Sequence, residues 1–381
     1  MPQKKSKDSN RLKFIDLFAG IGGFRLALEM FGEECVFSSD FNKNSQIVYR
    51  DNFKETPKGD ITKIKAKEIP PHDVLCAGFP CQPFSVSGNQ KGFDDLNNGN
   101  LFLNIERIAK HHKPKVIFLE NVGHLERHND GNTLETIKRN LSNMGYNFFY
   151  EVLNSSDYGV PQHRKRIYMV AFRKDLGVSS FKFPEPTMKE VKLKDFLEPN
   201  SKAKNQIIDE TLPKAVKIEG GWKVVNKKTG KTLRKFLWKD KKGRRVNAKK
   251  KAEDVVKKGM LHPIDIHDRE NVQSRAIKTI RVGTIGKGGQ GERIYSVNGH
   301  SATLTASTGG VASKTQAYLV KGKVRKLTPL ECKRLMGFPD NFKMDVIDGT
   351  AYTLLGNSVV IPVLKLIYRE IKQSIYKNGK N

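Results

Sequence analysis

Cysteine is scarce in this sequence, since 381 residues contain only 4. Four dispersed thiols are too few for the disulfide framework that stabilises small secreted domains. No CxxC pair provides the ordinary spacing of a structural zinc site, and we expect no metal cofactor. A free cysteine is most often a small buried apolar residue, and we interpret Cys35, Cys76 and Cys332 in that way.

Long apolar runs are also lacking, because none approaches the ~18 residues that a membrane-spanning helix needs. The first residues, MPQKKSKDSNRLK, are basic, but no apolar region follows them. That is not the pattern of a secretory signal. We therefore expect a cytoplasmic protein that binds no membrane.

Acidic residues are outnumbered: 40 Asp and Glu face 69 Lys and Arg, which gives a net charge of +29. An excess of this size favours a polyanionic partner, most simply nucleic acid. General solubility is the alternative explanation. The length suggests about two domains and at least one sizeable core.

The basic residues are concentrated between Lys202 and Lys258, where 20 Lys and Arg face 6 Asp and Glu. This basic block also holds both tryptophans, Trp222 and Trp238, and alternates in the manner of short strands joined by turns. One interpretation is a surface that contacts phosphates along a nucleic acid. The other is a solvated insertion held in place by its two aromatic residues.

Short apolar runs alternate with helical patterns over the first 170 residues. This alternation predicts an α/β fold with a doubly wound, mainly parallel sheet. In such sheets ligands bind outside the carboxyl ends of the strands. The residues that follow each predicted strand are therefore the candidates for a functional site.

The first predicted strand, KFIDLF, is followed by AGIGG. Gly20, Gly22 and Gly23 allow a tight turn and a close backbone approach to a ligand. The next strand ends at Asp40, where an acid can accept a ribose hydroxyl. The pair favours nucleotide-like binding over an ordinary turn between a strand and a helix. A later GxGxxG match, which starts at Gly286, precedes a predicted strand rather than a helix, so we do not expect a second nucleotide site there.

Three further strand ends carry reactive side chains. Cys81 follows Pro80 in an irregular loop, and its thiol, with an ordinary pKa near ~8.5, needs a nearby cation to become a nucleophile at neutral pH. Glu120 ends an otherwise apolar strand, a costly position unless the acid is paired or used. Arg164 and Arg166 are two apart on an extended segment, so both guanidinium groups can reach one site. The alternatives are a capping carboxylate for Glu120 and two surface arginines.

The order of these segments resembles the motif set of DNA cytosine-5 methyltransferases. The segments are DLFAGIGG (16–23), GFPCQPFS (78–85), ENV (120–122), QHRKR (162–166) and GNSVV (356–360). The resemblance is closest to the GCGC-recognising bacterial modification enzymes, and the basic block looks like an insertion that they lack. It implies that the target cytosine is flipped out of the DNA duplex and attacked by Cys81 at ring carbon 6. Glu120 would protonate ring nitrogen 3, and Arg164 and Arg166 would hold the base and favour the thiolate.

The same resemblance implies S-adenosylmethionine as the cofactor. Its binding residues would be Phe18, Gly20, Gly22, Gly23, Asp40, Asp60, Ile61, Asn357 and Ser358. Asp40 departs from the family, which usually has Glu at this position.

The resemblance further implies double-stranded DNA as the partner. Gly88, Gly92 and Gly99 give the segment after Ser85 the hinge content of an active-site lid. Ser307 departs from the related enzymes, which carry a tyrosine there, and we expect a GCGC or similar GC-rich target. The residues implied in DNA contact are Ser85, Ser87, Gln290, Arg293 and Thr303.

These patterns predict two domains. The catalytic domain would comprise residues 1–188 and 345–381, and the target-recognition domain residues 189–344. We expect a monomer, accompanied by a restriction endonuclease that acts separately. Two alternatives remain open: a transfer-RNA cytosine methyltransferase and a catalytically inactive DNA-binding regulator.

Overall fold

A computed structural model gives the fold of most of the chain. It describes residues 11–79, 101–187, 190–199, 202–203, 207–208, 213–226, 232–239, 243–257, 264–266, 279–285, 289–306 and 309–378.

Strands and helices alternate through the first half of the chain, as the sequence predicts. The strands are β1 (Lys13–Leu17), β2 (Glu34–Ser39), β3 (Val74–Gly78), β4 (Val116–Val122), β5 (Tyr146–Asn154) and β6 (Lys165–Arg173). The helices are α1 (Gly23–Glu29), α2 (Lys43–Phe53), α3 (Leu101–His112) and α4 (Asn132–Asn143).

The six strands form one sheet in the order β2-β1-β3-β4-β6-β5. Strands β1 to β4 are parallel, and β6 is antiparallel to both β4 and β5. The doubly wound, mainly parallel sheet is therefore confirmed. Because β6 runs the other way, its first residues lie at the edge where the parallel strands end, with Arg166 opposite Val122.

The two faces of this sheet are covered differently. Side chains from one face, among them Ile15, Leu75 and Ile117, form a buried apolar cluster with α3 and α4. On the other face, Phe24 of α1 packs edge-on against Phe118, with ring centroids 5.2 Å apart. Burial on both faces explains why these strands are almost continuously apolar.

Three helices form the C-terminal part: α6 (Pro329–Leu335), α7 (Asp348–Asn357) and α8 (Ile361–Asn378). Helix α8 packs against α1. The expectation that no stretch approaches membrane-spanning length is wrong for Asp348–Lys377, which is long and apolar enough by composition. However, 67% of its apolar window is buried inside the protein, as in a core helix.

The middle of the chain forms two smaller sheets. The first contains β7 (Pro213–Ile218), β8 (Gly221–Asn226) and β9 (Thr232–Leu237), and α5 (Ala248–Lys257) packs on it. The second, in the order β10-β11-β12-β13-β14, contains β10 (Ile264–Ile266), β11 (Arg281–Ile285), β12 (Arg293–Ser296), β13 (Ala317–Val320) and β14 (Lys323–Arg325). The later GxGxxG match precedes strand β12, as predicted.

Contacts divide the chain into two units. The larger comprises Met1–Phe196, Ala302–Ala306 and Pro329–Asn381, and the smaller Leu197–Ser301 and Ser307–Thr328. The five residues Ala302–Ala306 thus belong to the larger unit, although their neighbours on both sides belong to the smaller one. The domain limits expected from the sequence did not anticipate this short segment.

Gly356 of α7 packs closely against the backbone of the segment Ala302–Ala306. A Cβ atom at Gly356 would overlap the backbone of Thr305 and Ala306. We expect Gly356→Ala to lower the free energy of unfolding by about 1–3 kcal/mol in urea titrations, because the backbone must shift to admit the methyl group. Gly349→Ala is the matched control, since it lies in the same helix and its Cβ would meet nothing within 4 Å. Equal losses for the two variants would contradict the packing explanation.

Candidate active site

Glu120 is a buried carboxylic acid near the end of β4. The residue is 7% exposed, and its Oε1 lies 3.1 Å from Nε of Arg166. Burial raises the pKa of Glu120, while the positive charges of Arg166 and Arg164 oppose that shift. A raised pKa favours the protonated form of the acid, which is the form that can donate a proton. Pairing β4 with β6 thus brings the predicted acid and one predicted arginine together.

Asn121 connects Glu120 to the segment that leads to Cys81. Its side-chain Nδ2 donates to the carbonyl oxygen of Phe79 at 2.9 Å, and the residue is 2% exposed. Phe79 is two residues before Cys81 in the sequence. Cys81 itself lies outside the described residues, as do Ser85 and Ser87. Asn121 therefore holds the backbone of Phe79, two residues before the predicted nucleophile, beside the predicted acid.

Arg164 has different contacts from Arg166. Its Nη1 donates to the carbonyl oxygen of Leu304 at 2.8 Å, and its Nη2 donates to those of Gly356 and Ser358 at 2.9 and 2.7 Å. Burial, with the nearby charge of Arg166, lowers the pKa of Arg164, but an arginine remains charged at neutral pH. The prediction that both guanidinium groups act directly on one site stays a prediction for Arg164.

Gln162 completes this junction, and the sequence analysis did not select it as a site residue. It is fully buried; its Oε1 accepts a hydrogen bond from the backbone N–H of Leu304 at 3.2 Å, and its Nε2 donates to the carbonyl oxygen of Leu335 at 3.2 Å. Leu304 is thereby held at both its N–H and its C=O. The signal that could have revealed it is its place in QHRKR, two residues before Arg164.

The glycine turn after β1 has the backbone that the sequence predicts. Phe18, Gly20 and Gly22 have positive φ angles of 56°, 53° and 87°. A Cβ at Gly22 would overlap the ring of Phe53, and one at Gly23 would overlap the side chain of Val359. At Gly20, by contrast, no atom lies within 4 Å of a Cβ position. Two glycines are therefore required by packing, and Gly20 leaves open space.

Asp40 is joined to this turn by hydrogen bonds. Its Oδ2 accepts from the backbone N–H of Gly20 and its Oδ1 from that of Asn42, both at 2.8 Å. Burial raises the pKa of Asp40, and these two N–H groups oppose that shift. The residue remains partly exposed.

The remaining predicted cofactor residues lie in two places. Asp60 caps a short 3₁₀ turn by accepting from the N–H of Thr62 at 3.0 Å, and Ile61 after it is buried. Asn357 is exposed at the end of α7, whereas Ser358 is 9% exposed and gives its carbonyl to Arg164.

The predicted DNA-contact residues that the structure describes are Gln290, Arg293 and Thr303. Gln290 and Arg293 are exposed, in a turn and at the start of β12. Thr303 donates its hydroxyl to the carbonyl oxygen of His163, so its side chain is already engaged.

Asp16 is a buried acid that the sequence analysis missed. It is 1% exposed, and neither oxygen has a hydrogen-bond partner among the described residues. Burial raises its pKa to about 8. The available signal was an acid inside the apolar strand KFIDL, the same signal that identified Glu120.

Comparison with protein families matches residues 12–373 to the family described as C-5 cytosine-specific DNA methylase. The chain is 44% identical over 375 residues to the Type II methyltransferase M.HhaI of Haemophilus parahaemolyticus, with 98% of each chain covered. It is 35% identical to the Type II methyltransferase M.HpaII of Haemophilus parainfluenzae, covering 98% of this chain and 93% of that one. The structure of S. pombe Dnmt2 methyltransferase shares the fold, with a TM-score of 0.64, 20% identity, and coverage of 96% and 99%.

The raised pKa of Asp16 predicts a pH dependence of stability. Between its ordinary value of 3.8 and about 8, the unfolded chain releases the proton while the folded chain keeps it. The free energy of unfolding should therefore fall as pH rises through this window, by up to about 1.4 kcal/mol per pH unit from this group. Asp16→Asn should remove that contribution.

The measurement is urea unfolding of both proteins at about pH 5.5 and about pH 7.5. Asp345→Asn, which removes an exposed carboxylate, serves as the control. The same pH slope in the wild type and in Asp16→Asn would show that Asp16 is not protonated in the folded state.

Proposed function

The chain belongs to the C-5 cytosine-specific DNA methylase family, and we propose that Cys81, Glu120 and Arg166 form its catalytic centre. As a member of that family it is a DNA cytosine-5 methyltransferase that uses S-adenosylmethionine. The observation that carries the proposal is the buried pair of Glu120 and Arg166 beside the backbone that leads to Cys81.

The residues around the glycine turn fit the cofactor that the family implies. The open space at Gly20 admits a ligand close to the backbone. Asp40, fixed by two N–H groups and still partly exposed, can accept ribose hydroxyls. Asp60, Ile61 and Phe18 would border the adenine, with Gly22, Gly23, Asn357 and Ser358 completing the pocket. When bound, S-adenosylmethionine supplies the methyl group for ring carbon 5 of the cytosine.

In the proposed reaction, Cys81 provides the nucleophile and Glu120 provides the proton. The thiolate of Cys81 forms a bond to ring carbon 6, and the electron pair displaced in the ring moves towards nitrogen 3. Glu120, whose pKa burial raises, donates a proton or a hydrogen bond to that nitrogen. As ring carbon 5 gains the methyl group, ring nitrogen 3 returns its proton to Glu120. A base, for which solvent water suffices, then takes the proton of ring carbon 5, and the electron pair of that carbon–hydrogen bond re-forms the double bond to ring carbon 6. The carbon–sulfur bond breaks in the same step, and Cys81 leaves as the thiolate.

Arg166 supplies the countercharge beside Glu120 and would hold the carbonyl oxygen of the base. Arg164 is more deeply buried, at 2% exposure, and its N–H groups bind three backbone carbonyls. It therefore contributes its positive charge without contacting the base. Its proposed part is to hold the surrounding segments in place and to favour the thiolate. This division of work needs no metal, since thiol, acid and guanidinium groups provide the nucleophile, the proton and the countercharge.

The proposed substrate is duplex DNA with a GCGC or similar GC-rich target. Exposed Arg293 would read guanine, the commonest direct contact of an arginine in the major groove. Gln290, with Ser87, would fill the gap left by the flipped cytosine, and Ser85 and Thr303 would contact the DNA near it. We further propose that the protein is a cytoplasmic monomer of a restriction–modification system with a separate endonuclease. Its catalytic domain would comprise residues 1–188 and 345–381, and its target-recognition domain residues 189–344.

Base-resolution sequencing of methylated DNA from cells that express this chain tests the proposal. We expect 5-methylcytosine in GCGC sites with the wild type and none with Cys81→Ala, because the nucleophile is lost. DNA binding by purified Cys81→Ala should remain, as measured by gel shift.

Methylation that persists in Cys81→Ala would refute the covalent mechanism. Modified cytosines only outside GCGC would refute the proposed target alone. Methyl transfer to transfer RNA but not to duplex DNA would favour the transfer-RNA alternative.

Replacing Arg164 or Arg166 by lysine should have different effects on stability and on the rate of methyl transfer. Arg164→Lys should lower the free energy of unfolding by about 2–4 kcal/mol, because one ammonium group cannot satisfy three buried carbonyls in the same geometry. Arg166→Lys keeps a positive charge beside Glu120 and should lower stability less than Arg164→Lys does, but it should slow single-turnover methyl transfer by about 100-fold. Urea unfolding and transfer of labelled methyl groups measure both effects. Equal stability losses would contradict the assignment of Arg164 to the junction.

A further inference from the structure

The basic block of the sequence contains a folded module with its own small core. Ala248 and Ala252 of α5 and Val224 and Val225 of β8 are all buried, at 1%, 0%, 0% and 7% exposure. Helix α5 packs on all three strands of the sheet β7–β9. The residues that carry these positive charges therefore belong to a folded module and not to a solvated loop.

Two lysines of the module face each other across neighbouring strands. Lys223 of β8 is directly opposite Lys235 of β9. Like charges in this position repel and destabilise a sheet. On the opposite face of β9, the guanidinium carbon of exposed Arg234 lies 5.2 Å from the ring centroid of Phe236.

Helix α5 has a second cluster in an unfavourable place. Lys249, Lys250 and Lys251 are exposed at its start, where the structure has no acid in the first turn. The N-terminus of a helix carries partial positive charge, so lysines there are repelled by it. The ion pair of Lys249 with Glu253, at 3.8 Å and well exposed, offsets little of this repulsion.

We propose that β7–β9 and α5 form a surface that binds the phosphate backbone of duplex DNA without reading its sequence. A polyanion is the partner that turns both repulsive clusters into favourable contacts, and the enzyme's substrate is such a polyanion. The inference rests on DNA as the substrate, but not on the proposed GCGC target. In this surface Lys223, Lys235, Lys249, Lys250 and Lys251 contact phosphates, and stability of the free protein is lower than it would be without them.

Two variants test the surface. One carries Lys249→Gln, Lys250→Gln and Lys251→Gln together, and the other is K235E, which places an acid opposite Lys223. The control combines Lys138→Gln, Lys182→Gln and Lys377→Gln, three exposed lysines of the larger unit. Affinity for a duplex that lacks GCGC is measured over a range of salt concentrations, with melting temperature and methyl transfer measured on the same samples.

We expect the triple variant to bind about tenfold more weakly at low salt. The slope of log affinity against log salt concentration should be less negative by about 2–3. Its melting temperature and that of K235E should rise, because repulsion is removed. At saturating DNA the rate of methyl transfer should stay unchanged. A role in solubility alone would leave affinity and salt dependence as they are, and that result overturns the proposal.

Tryptophan fluorescence provides a direct readout, because both tryptophans of the chain lie in this module. Trp238 is 49% exposed and follows β9. Its emission should change on addition of duplex DNA and recover as salt is raised. Unchanged emission at saturating DNA would show that DNA does not contact this module, which overturns the proposal. A loss of binding that the variants show only with RNA or with anionic lipid vesicles would refute DNA as the partner of this surface. Wild-type protein that methylates no DNA would instead refute the proposed function.

Discussion

The structure depends on one buried cation, the guanidinium group of Arg164. Removing this charge from water is costly, and the cost is offset because its N–H groups bind the carbonyls of Leu304, Gly356 and Ser358. These carbonyls belong to two segments that are 140 and 192 residues away in sequence. One side chain thus fixes the short segment Ala302–Ala306, the end of α7 and the start of β6 in a single arrangement. Arg166, which pairs with Glu120, lies two residues after Arg164, so this arrangement helps to position the site at the strand ends.

The acid–base properties of the site follow from an opposition between burial and charge. Burial raises the pKa of Glu120, whereas the charges of Arg166 in contact and of Arg164 nearby lower it. The carboxyl group in which these effects meet lies 3.1 Å from Nε of Arg166, near the end of β4. Asn121 adds a mechanical link, since the same strand end that carries the acid also holds the backbone before Cys81. The proposed proton donor and the residue that holds the backbone of Phe79 are therefore consecutive in β4.

Local patterns predicted the sheet, the glycine turn and the meeting of Glu120 with Arg166. Each depends on information within a few residues: apolar periodicity, a positive φ at Gly20, or an acid at the end of an apolar strand. The partners of Arg164 could not be predicted in this way, because backbone carbonyls carry no side-chain signature in a sequence. Asp16 was missed although its signal resembles that of Glu120, since an acid within a strand does not by itself show whether it is paired. Composition identified the basic block, but the repulsive pairing of Lys223 with Lys235 became visible only with the strand register.

The placement of Ala302–Ala306 has a consequence for how enzymes of this kind can diversify. Because these five residues belong to the larger unit while their neighbours belong to the smaller one, the chain passes between the units four times. The smaller unit is therefore not a single cassette that recombination can exchange with two crossovers. An exchange that keeps the catalytic unit intact must preserve this anchor between two variable stretches. By contrast, the module of β7–β9 and α5 is continuous in sequence, so a single exchange with two crossovers would span all of it.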